Sequence, residues 1–307
     1  MAAHVLIDAW LLAEIERAVT GHLGRLWALT GWDDLSARAS HPAALLHGPG
    51  LSVFAKLLTT PEQAQRELAG LDLLSRRSGV RVPLPVGSGL ITVGGQVLLL
   101  SEAVRERAPA ERRAEDWQAI GHALATVHAI TADAFGLDRD GYFGPLHQDN
   151  RQVLSNTWAE FYGQRRLLPW LLSAYDAGCL SGRQVRQVER VVARLPELGG
   201  QEPRPTLVHG DAQHHNFVST SAGAVVIDAS PYYGHPEVDL ALVDYFSPVA
   251  PELFAGYADV HAIDPGFVER RELWRMFAYL GVLAVDGSGE WGRTFVRRLD
   301  TALARYA

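Results

Sequence analysis

The chain has 307 residues and a single cysteine, Cys179. No internal disulfide can form, which fits a reducing compartment, and a cytoplasmic protein is expected. There is also no stretch of about 18 apolar residues, the length a membrane-spanning helix requires, so no membrane partner is expected. The opening "MAAHVLIDAWLLAEIERA" lacks a basic leader and carries acids within its apolar part. It reads as an amphipathic helix and not as a signal peptide. Basic charge is short as well: 28 Lys and Arg face 35 Asp and Glu, a formal charge of −7. That balance argues against a nucleic-acid partner held by bulk charge. The basic run Arg105 to Arg113 is interrupted by Glu106 and Glu111 and reads as a solvated face. Repeats, low-complexity tracts and long linkers are missing too.

What is present is an ordinary globular composition, 48% hydrophobic and 21% charged, on a chain long enough for a substantial core. Ile7, Leu11, Ile15, Ala18 and Leu23 fall near helical spacing. In "AALLHGPGLSVFAKLL", residues 43–58, two apolar runs flank a turn-rich tetrapeptide, which predicts a β-hairpin. Lys56 stands near the end of the second run. A lysine on an edge strand is one explanation of a charge there. Thr60, Pro61 and Gln63 then form a helix-start signature. Ala64, Leu68, Leu71 and Leu74 line one face of that helix, Glu67 lies beside the stripe, and Gly79 closes it. "VRVPLPVGSGLITVGGQVLLLSEAV" resumes strand character, with Gly94-Gly95 as a second hairpin turn and a connector near Glu102 to Val104. From about residue 114 the pattern is mostly helical: Ile120, Leu124, Val127 and Ile130 share a face, and 158–175, 183–195, 236–246 and 267–305 read as helices. The layout predicts a small sheet-rich N-terminal part, a larger helical C-terminal part, and a cleft between them.

The chemistry concentrates in "TLVHGDAQHHNFVSTSAGAVVIDAS". "NFV" and "AVVID" read as two short strands around "STSAG", a hairpin that brings Asn216 and Asp228 together. Asp211 precedes Asn216 by five residues. Three oxygen-bearing side chains therefore converge, a set suited to magnesium. His209 with His214 or His215 meets a loose zinc spacing, but no cysteine lies nearby and no His-Glu-x-x-His motif occurs. The histidines read as scaffold, with His209 bracing the loop through backbone hydrogen bonds.

H-G-D-x-x-x-x-N followed by an apolar strand and Asp resembles the catalytic loop of aminoglycoside phosphotransferase-like kinases. Within that superfamily the chain resembles the fructosamine/ketosamine kinase family. "VVIDASPYYGHPEVDLALVDYF", "FGLDRDGYFGPLHQDN" with "TWAEFYGQRRLLPWL", and "RRELWRMFAYLGVLAVDGSGEWG" carry the closer match. The resemblance covers most of the chain from about Val53 onward. It implies an α+β, bilobal, protein-kinase-like fold. Residues 1–103 would form a nucleotide-binding lobe with a small antiparallel sheet, and residues 104–307 a larger, mainly helical catalytic and substrate-binding lobe.

The resemblance also implies roles. Lys56 would contact the nucleotide phosphates and Glu67 would hold that lysine. Glu102, Ala103 and Val104 would meet adenine through backbone groups. Asp211 would orient the acceptor hydroxyl and take its proton, and Asn216 and Asp228 would bind Mg²⁺. Asp239 in "EVDLA" is either a brace for the loop or a simple helix-start acid. The implied reaction is ATP-dependent transfer of the γ-phosphate to a hydroxyl of a small sugar-amine.

The sequence departs from the family's pattern at three places. No glycine occurs between Trp32 and His47, where the family usually shows a Gly-Gly-x-x-Asn loop; Ser36 and Ser40 stand as alternative phosphate contacts. Ala212 and Gln213 replace Leu-Trp, and Ala229 replaces Pro. The glycine-poor hairpin keeps a non-catalytic pseudokinase as a rival reading. An antibiotic phosphotransferase is the other, favoured by an acidic acceptor cleft. Tyr232, Tyr233, Trp158 and Phe161 are expected to line the acceptor site.

Overall fold

The computed structural model describes residues 4–36, 41–287 and 289–307. The first helix, α1 (Ala9–Leu23), buries Leu11, Ile15 and Val19 and ends on the left-handed Gly24. Five antiparallel strands follow: β1 (Gly31–Asp34), β2 (Ala43–Gly48), β3 (Leu51–Leu58), β4 (Pro85–Val93) and β5 (Gln96–Glu102). Their order is β1-β2-β3-β5-β4. Lys56 lies opposite Ala43 on one side and Leu99 on the other. It therefore stands on the central strand, and the edge-strand explanation of that charge is excluded.

Between β3 and β4 runs α2 (Pro61–Ser78). The Thr60 hydroxyl accepts from the Gln63 N–H, Pro61 occupies the first turn, and Gly79 caps the far end in the left-handed region. The helix buries Ala64, Gly70, Leu71 and Leu74. Gly70 has a specific task. A Cβ there would lie 2.9 Å from both the Ala229 carbonyl oxygen and Pro231 Cδ. Only glycine allows α2 to approach the 229–231 loop so closely.

The rest of the chain is dominated by helices: α3 (Ala114–His128), α4 (Trp158–Tyr162), α5 (Leu168–Asp176), α6 (Gly182–Leu198), α7 (Pro236–Leu242), α8 (Pro251–Ala258), α9 (Phe267–Asp286) and α10 (Glu290–Tyr306). Three two-stranded ladders are set among them. They pair β6 (Gly141–Phe143) with β7 (Leu146–Gln148), β8 (Thr206–Val208) with β11 (Tyr232–Gly234), and β9 (Phe217–Thr220) with β10 (Gly223–Val226). Leu71, Leu74 and Val80 pack into the large core of this later part, while α1 and the strands share a smaller core of their own.

Two expectations change. The helix read over 267–305 is two helices, α9 and α10, because Gly287 has φ 59° and turns the chain. The segment 158–175 is interrupted by a π-helical turn over Gly163–Leu167 between α4 and α5. Among the described residues, no helix is long and apolar enough to cross a membrane.

Candidate active site

The β9–β10 hairpin pairs Phe217 with Val226, and the Ile227 N–H donates to the Asn216 carbonyl at 3.0 Å just outside it. Asn216 thus immediately precedes one strand, and Asp228 follows the other by two residues. Asp228 has φ 50°, in a region that few residues other than Gly, Asn and Asp adopt. Its side chain leaves the hairpin toward β3 and α2.

The loop before the hairpin is fixed from below. Asp239, in the first turn of α7, accepts the His209 N–H at 2.6 Å and the Gly210 N–H at 3.0 Å. His128 Nε2 meets the same carboxylate at 3.1 Å. Asp239 is therefore a brace. His209 is fully buried; its Nε2 faces the Ile227 carbonyl at 3.1 Å and its Nδ1 accepts the Asp211 N–H at 3.2 Å. Burial pulls the imidazole below its ordinary pKa, so it serves the loop as a neutral ring. His214 Nδ1 faces the Val243 carbonyl at 3.0 Å. Among the described residues, no group of three or more His, Cys, Asp and Glu is arranged to hold a metal ion.

Lys56 Nζ reaches both oxygens of Glu67, at 3.0 and 2.9 Å, and Asp228 Oδ1 at 3.0 Å. Burial alone would pull the ammonium down. Asp228 and Glu67 outweigh it and hold Lys56 above its ordinary value, so it stays charged. Burial likewise raises Asp228, but the Lys56 charge and the surrounding hydrogen bonds bring that carboxyl below its usual range. Glu67 is pushed up by burial to about 7, against the pull of Lys56 and with a further push from Asp228. The Asp228 side chain is still 38% exposed and opens into a cavity.

That cavity brings Lys56, Glu67, Asp211 and Asp228 together with Arg139 and Tyr142. Burial raises the Asp211 carboxyl to about 7, although the Gln213 amide donates to Oδ1 at 2.7 Å and acts in the other direction. Asn216 does not line the cavity; its Nδ2 donates to the Asp211 carbonyl at 2.8 Å, fixing the side chain at the loop's edge. Glu102, Ala103 and Val104 line a separate groove with Arg81 and Thr220. The Glu102 N–H bonds the Leu84 carbonyl and the Ala103 N–H bonds the Ser52 carbonyl.

Ser36 is not brought to the cavity. Its hydroxyl meets His4 Nε2 at 2.9 Å and accepts the Ala43 N–H at 3.3 Å. Ser40 lies outside the described residues. The expected aromatic lining is corrected as well: Tyr232, Tyr233, Trp158 and Phe161 are buried core, and Tyr232 and Phe161 cover the guanidinium of the fully buried Arg166. The aromatic residue at the cavity is Tyr142. Its segment, "DRDGYFG", signals a turn by its glycines and acids, but no period points it at the site.

A profile of the fructosamine kinase family matches residues 11–304. The chain belongs to the fructosamine kinase family. It is 30% identical to the "Probable ketoamine kinase" of Synechocystis sp., over 73% of this chain and 74% of that protein. It is 26% identical to the chloroplastic protein-ribulosamine 3-kinase of Oryza sativa subsp. japonica, over 92% and 79% of the two chains. Among solved structures, a candidate fructosamine-3-kinase from Thermobifida fusca superposes with a TM-score of 0.79 at 31% identity, covering 94% of this chain and 98% of that one. An aminoglycoside phosphotransferase bound to ADP and hygromycin B superposes with a TM-score of 0.61 at 13% identity, over 96% and 99% of the two chains. That likeness extends to the fold alone. As a member of the fructosamine kinase family with a kinase-like fold, the protein is a phosphotransferase.

Proposed function

We propose that the protein transfers the γ-phosphate of ATP to a hydroxyl of a small ketoamine. The observation that carries this reading is the single cavity in which the Lys56–Glu67–Asp228 cluster meets Asp211, a carboxyl raised to about 7. Phosphoryl transfer needs charge neutralisation and alignment more than covalent help from the protein. Lys56, fixed by Glu67, supplies the positive charge. Asp211 accepts the proton of the acceptor hydroxyl. The acceptor oxygen bonds to the γ-phosphorus as the bond to the β,γ-bridging oxygen breaks, and ADP leaves with that electron pair. A base with a pKa near the working pH is suited to this step.

Mg²⁺ would be held by Asn216 and Asp228. The fit lies in the donor chemistry: a carboxylate and an amide oxygen are hard oxygen ligands, and commitment of Asn216 Nδ2 to the loop carbonyl leaves its Oδ1 as the coordinating end. When bound, the ion neutralises charge on the phosphates. Adenine would meet the connector at Val104, because the N–H groups of Glu102 and Ala103 are committed within the sheet. Residues 1–103 would then be the nucleotide lobe and residues 104–307 the catalytic and acceptor lobe.

Lys56, Arg66 and Arg139 offset the acids of the cavity. That mixed lining supports a ketoamine over a polycationic antibiotic. The fully paired lysine likewise favours an active kinase over a pseudokinase. The test is to titrate ATP with Mg²⁺, then assay wild type and Asp211→Asn against ribulosyl and fructosyl amines and aminoglycosides. Mg²⁺-dependent binding by both proteins, with transfer to a ketoamine only by wild type, is expected. Absence of nucleotide binding ends the kinase reading, equal turnover by both removes Asp211 from the base role, and preference for aminoglycosides reverses the acceptor.

A further inference from the structure

We propose that Gln213 is the positioning residue for Asp211, holding one carboxylate oxygen so that the other faces the acceptor hydroxyl; this rests on the reading of Asp211 as the base. Gln213 Nε2 donates to Asp211 Oδ1 at 2.7 Å, shorter than the bonds that His209 Nδ1 and Asn216 Nδ2 make to the Asp211 main chain. The Gln213 main chain is fixed on both sides. Its N–H donates to the Asp211 carbonyl at 2.9 Å, and its own carbonyl accepts the Asn216 N–H at 2.8 Å. It is also the residue that opens the 3₁₀ turn His214–Asn216. With the backbone set, the amide has a short and defined path to the carboxylate.

The neighbours contribute less to the carboxylate than Gln213 does. Ala212 is fully buried and its side chain carries no donor. Asn216 Nδ2 bonds the main-chain carbonyl of Asp211 and acts on its carboxyl less than Gln213 does, and His209 Nδ1 accepts its N–H, so these two chiefly fix the backbone of the base while Gln213 is the main hold on its side chain. A carboxylate free to rotate about its last torsion would present either oxygen, or neither, to the acceptor. A base has to lie within hydrogen-bond reach of the proton it takes, in the right direction, and loss of that alignment lowers the chemical step specifically. The proton then passes from the acceptor oxygen to the unheld Asp211 oxygen, as the balance given above requires.

The test uses the full-length protein, ATP with Mg²⁺, and the ketoamine on which wild type is most active. Gln213→Met keeps the length and removes the donor; Gln213→Glu replaces the donor with an acceptor. Both are measured by steady-state kinetics in each substrate, with thermal melting as the fold control. Expected is a fall in kcat on the order of 10- to 100-fold, as for loss of one hydrogen bond to a charged group. KM for ATP and for the ketoamine should stay within about twofold of wild type, since neither substrate loses a contact. Wild-type kcat in Gln213→Met or Gln213→Glu overturns the inference. So does a raised ketoamine KM at constant kcat, which makes Gln213 an acceptor contact, or a matched loss of ATP affinity and melting temperature, which makes it a loop strut. A wild type that transfers phosphate to no acceptor overturns the parent reading and this one with it, whereas an active wild type matched by its variants overturns this one alone.

Discussion

Asp211 is the residue on which structure and chemistry press hardest. Its folded pKa, raised by burial to about 7, means that the folded chain holds this proton more tightly than the unfolded chain. Stability is then lost as pH rises from the ordinary carboxyl range through about 7. Asp211→Asn removes that cost while keeping an oxygen for the Gln213 amide. The variant should lose phosphoryl transfer yet be more stable than wild type by on the order of 2–4 kcal/mol at pH 8. The advantage should shrink as pH falls and vanish only below about pH 4, where the carboxyl is neutral in the folded and the unfolded chain alike; melting curves across that range check it. Activity should follow the opposite course. The wild-type rate should climb through an acidic limb near pH 7 as the base loses its proton, read from kcat/KM against pH. That Lys56, Glu67, Asp211 and Asp228 meet was legible in the sequence because the motif the chain resembles ties residue type to spacing, whereas Asn216, read with them, stays at the loop's edge. The Gln213–Asp211 bond was not legible, because a side-chain torsion leaves no trace in spacing.

At the level of elements, α2 connects the two halves of the site. It carries Glu67 to Lys56 and, at Gly70, lies against the loop that follows Asp228. Gly70→Ala gains helix propensity but places a methyl group on a backbone oxygen and a proline ring. The net effect should be a destabilisation of about 1–3 kcal/mol with a fall in kcat as Glu67 is displaced from Lys56. Gly21→Ala in α1 is the control: nothing lies within 4 Å of the new methyl, so stability should rise by about 1 kcal/mol with activity unchanged. Thermal melts and turnover of both variants decide the point. This helix could be read from its sequence through Thr60, Pro61 and Gly79, as could the hairpins at "HGPG" and Gly94-Gly95. The ladders of β6 with β7 and of β8 with β11 could not, since strands of three residues are too short to display a period. The same limit hid the wall of the cavity around Arg139 and Tyr142.

For the whole molecule, the division proposed at residues 103 and 104 separates roles, not folding units. Leu71, Leu74 and Val80 belong to the core of the later part, so a cut at that point strips apolar side chains from both pieces. Calorimetry should record one unfolding transition for the full chain, and residues 104–307 alone should aggregate; two resolved transitions would contradict this. The sheet-then-helix layout was visible in the change from short apolar runs around glycine turns to apolar residues at helical spacing, whereas the sharing of one core across that change is a tertiary matter that no local pattern encodes. The close seat of α2 at Gly70 has a consequence for control. Protein kinases are commonly turned on and off by moving the helix that carries the paired glutamate. Here that helix rests against the loop after Asp228 with no room for a methyl group between them, so swinging outward would forfeit a fitted contact. The two contacts act in series: any displacement of α2 that parts Glu67 from Lys56 also has to open the seam at Gly70.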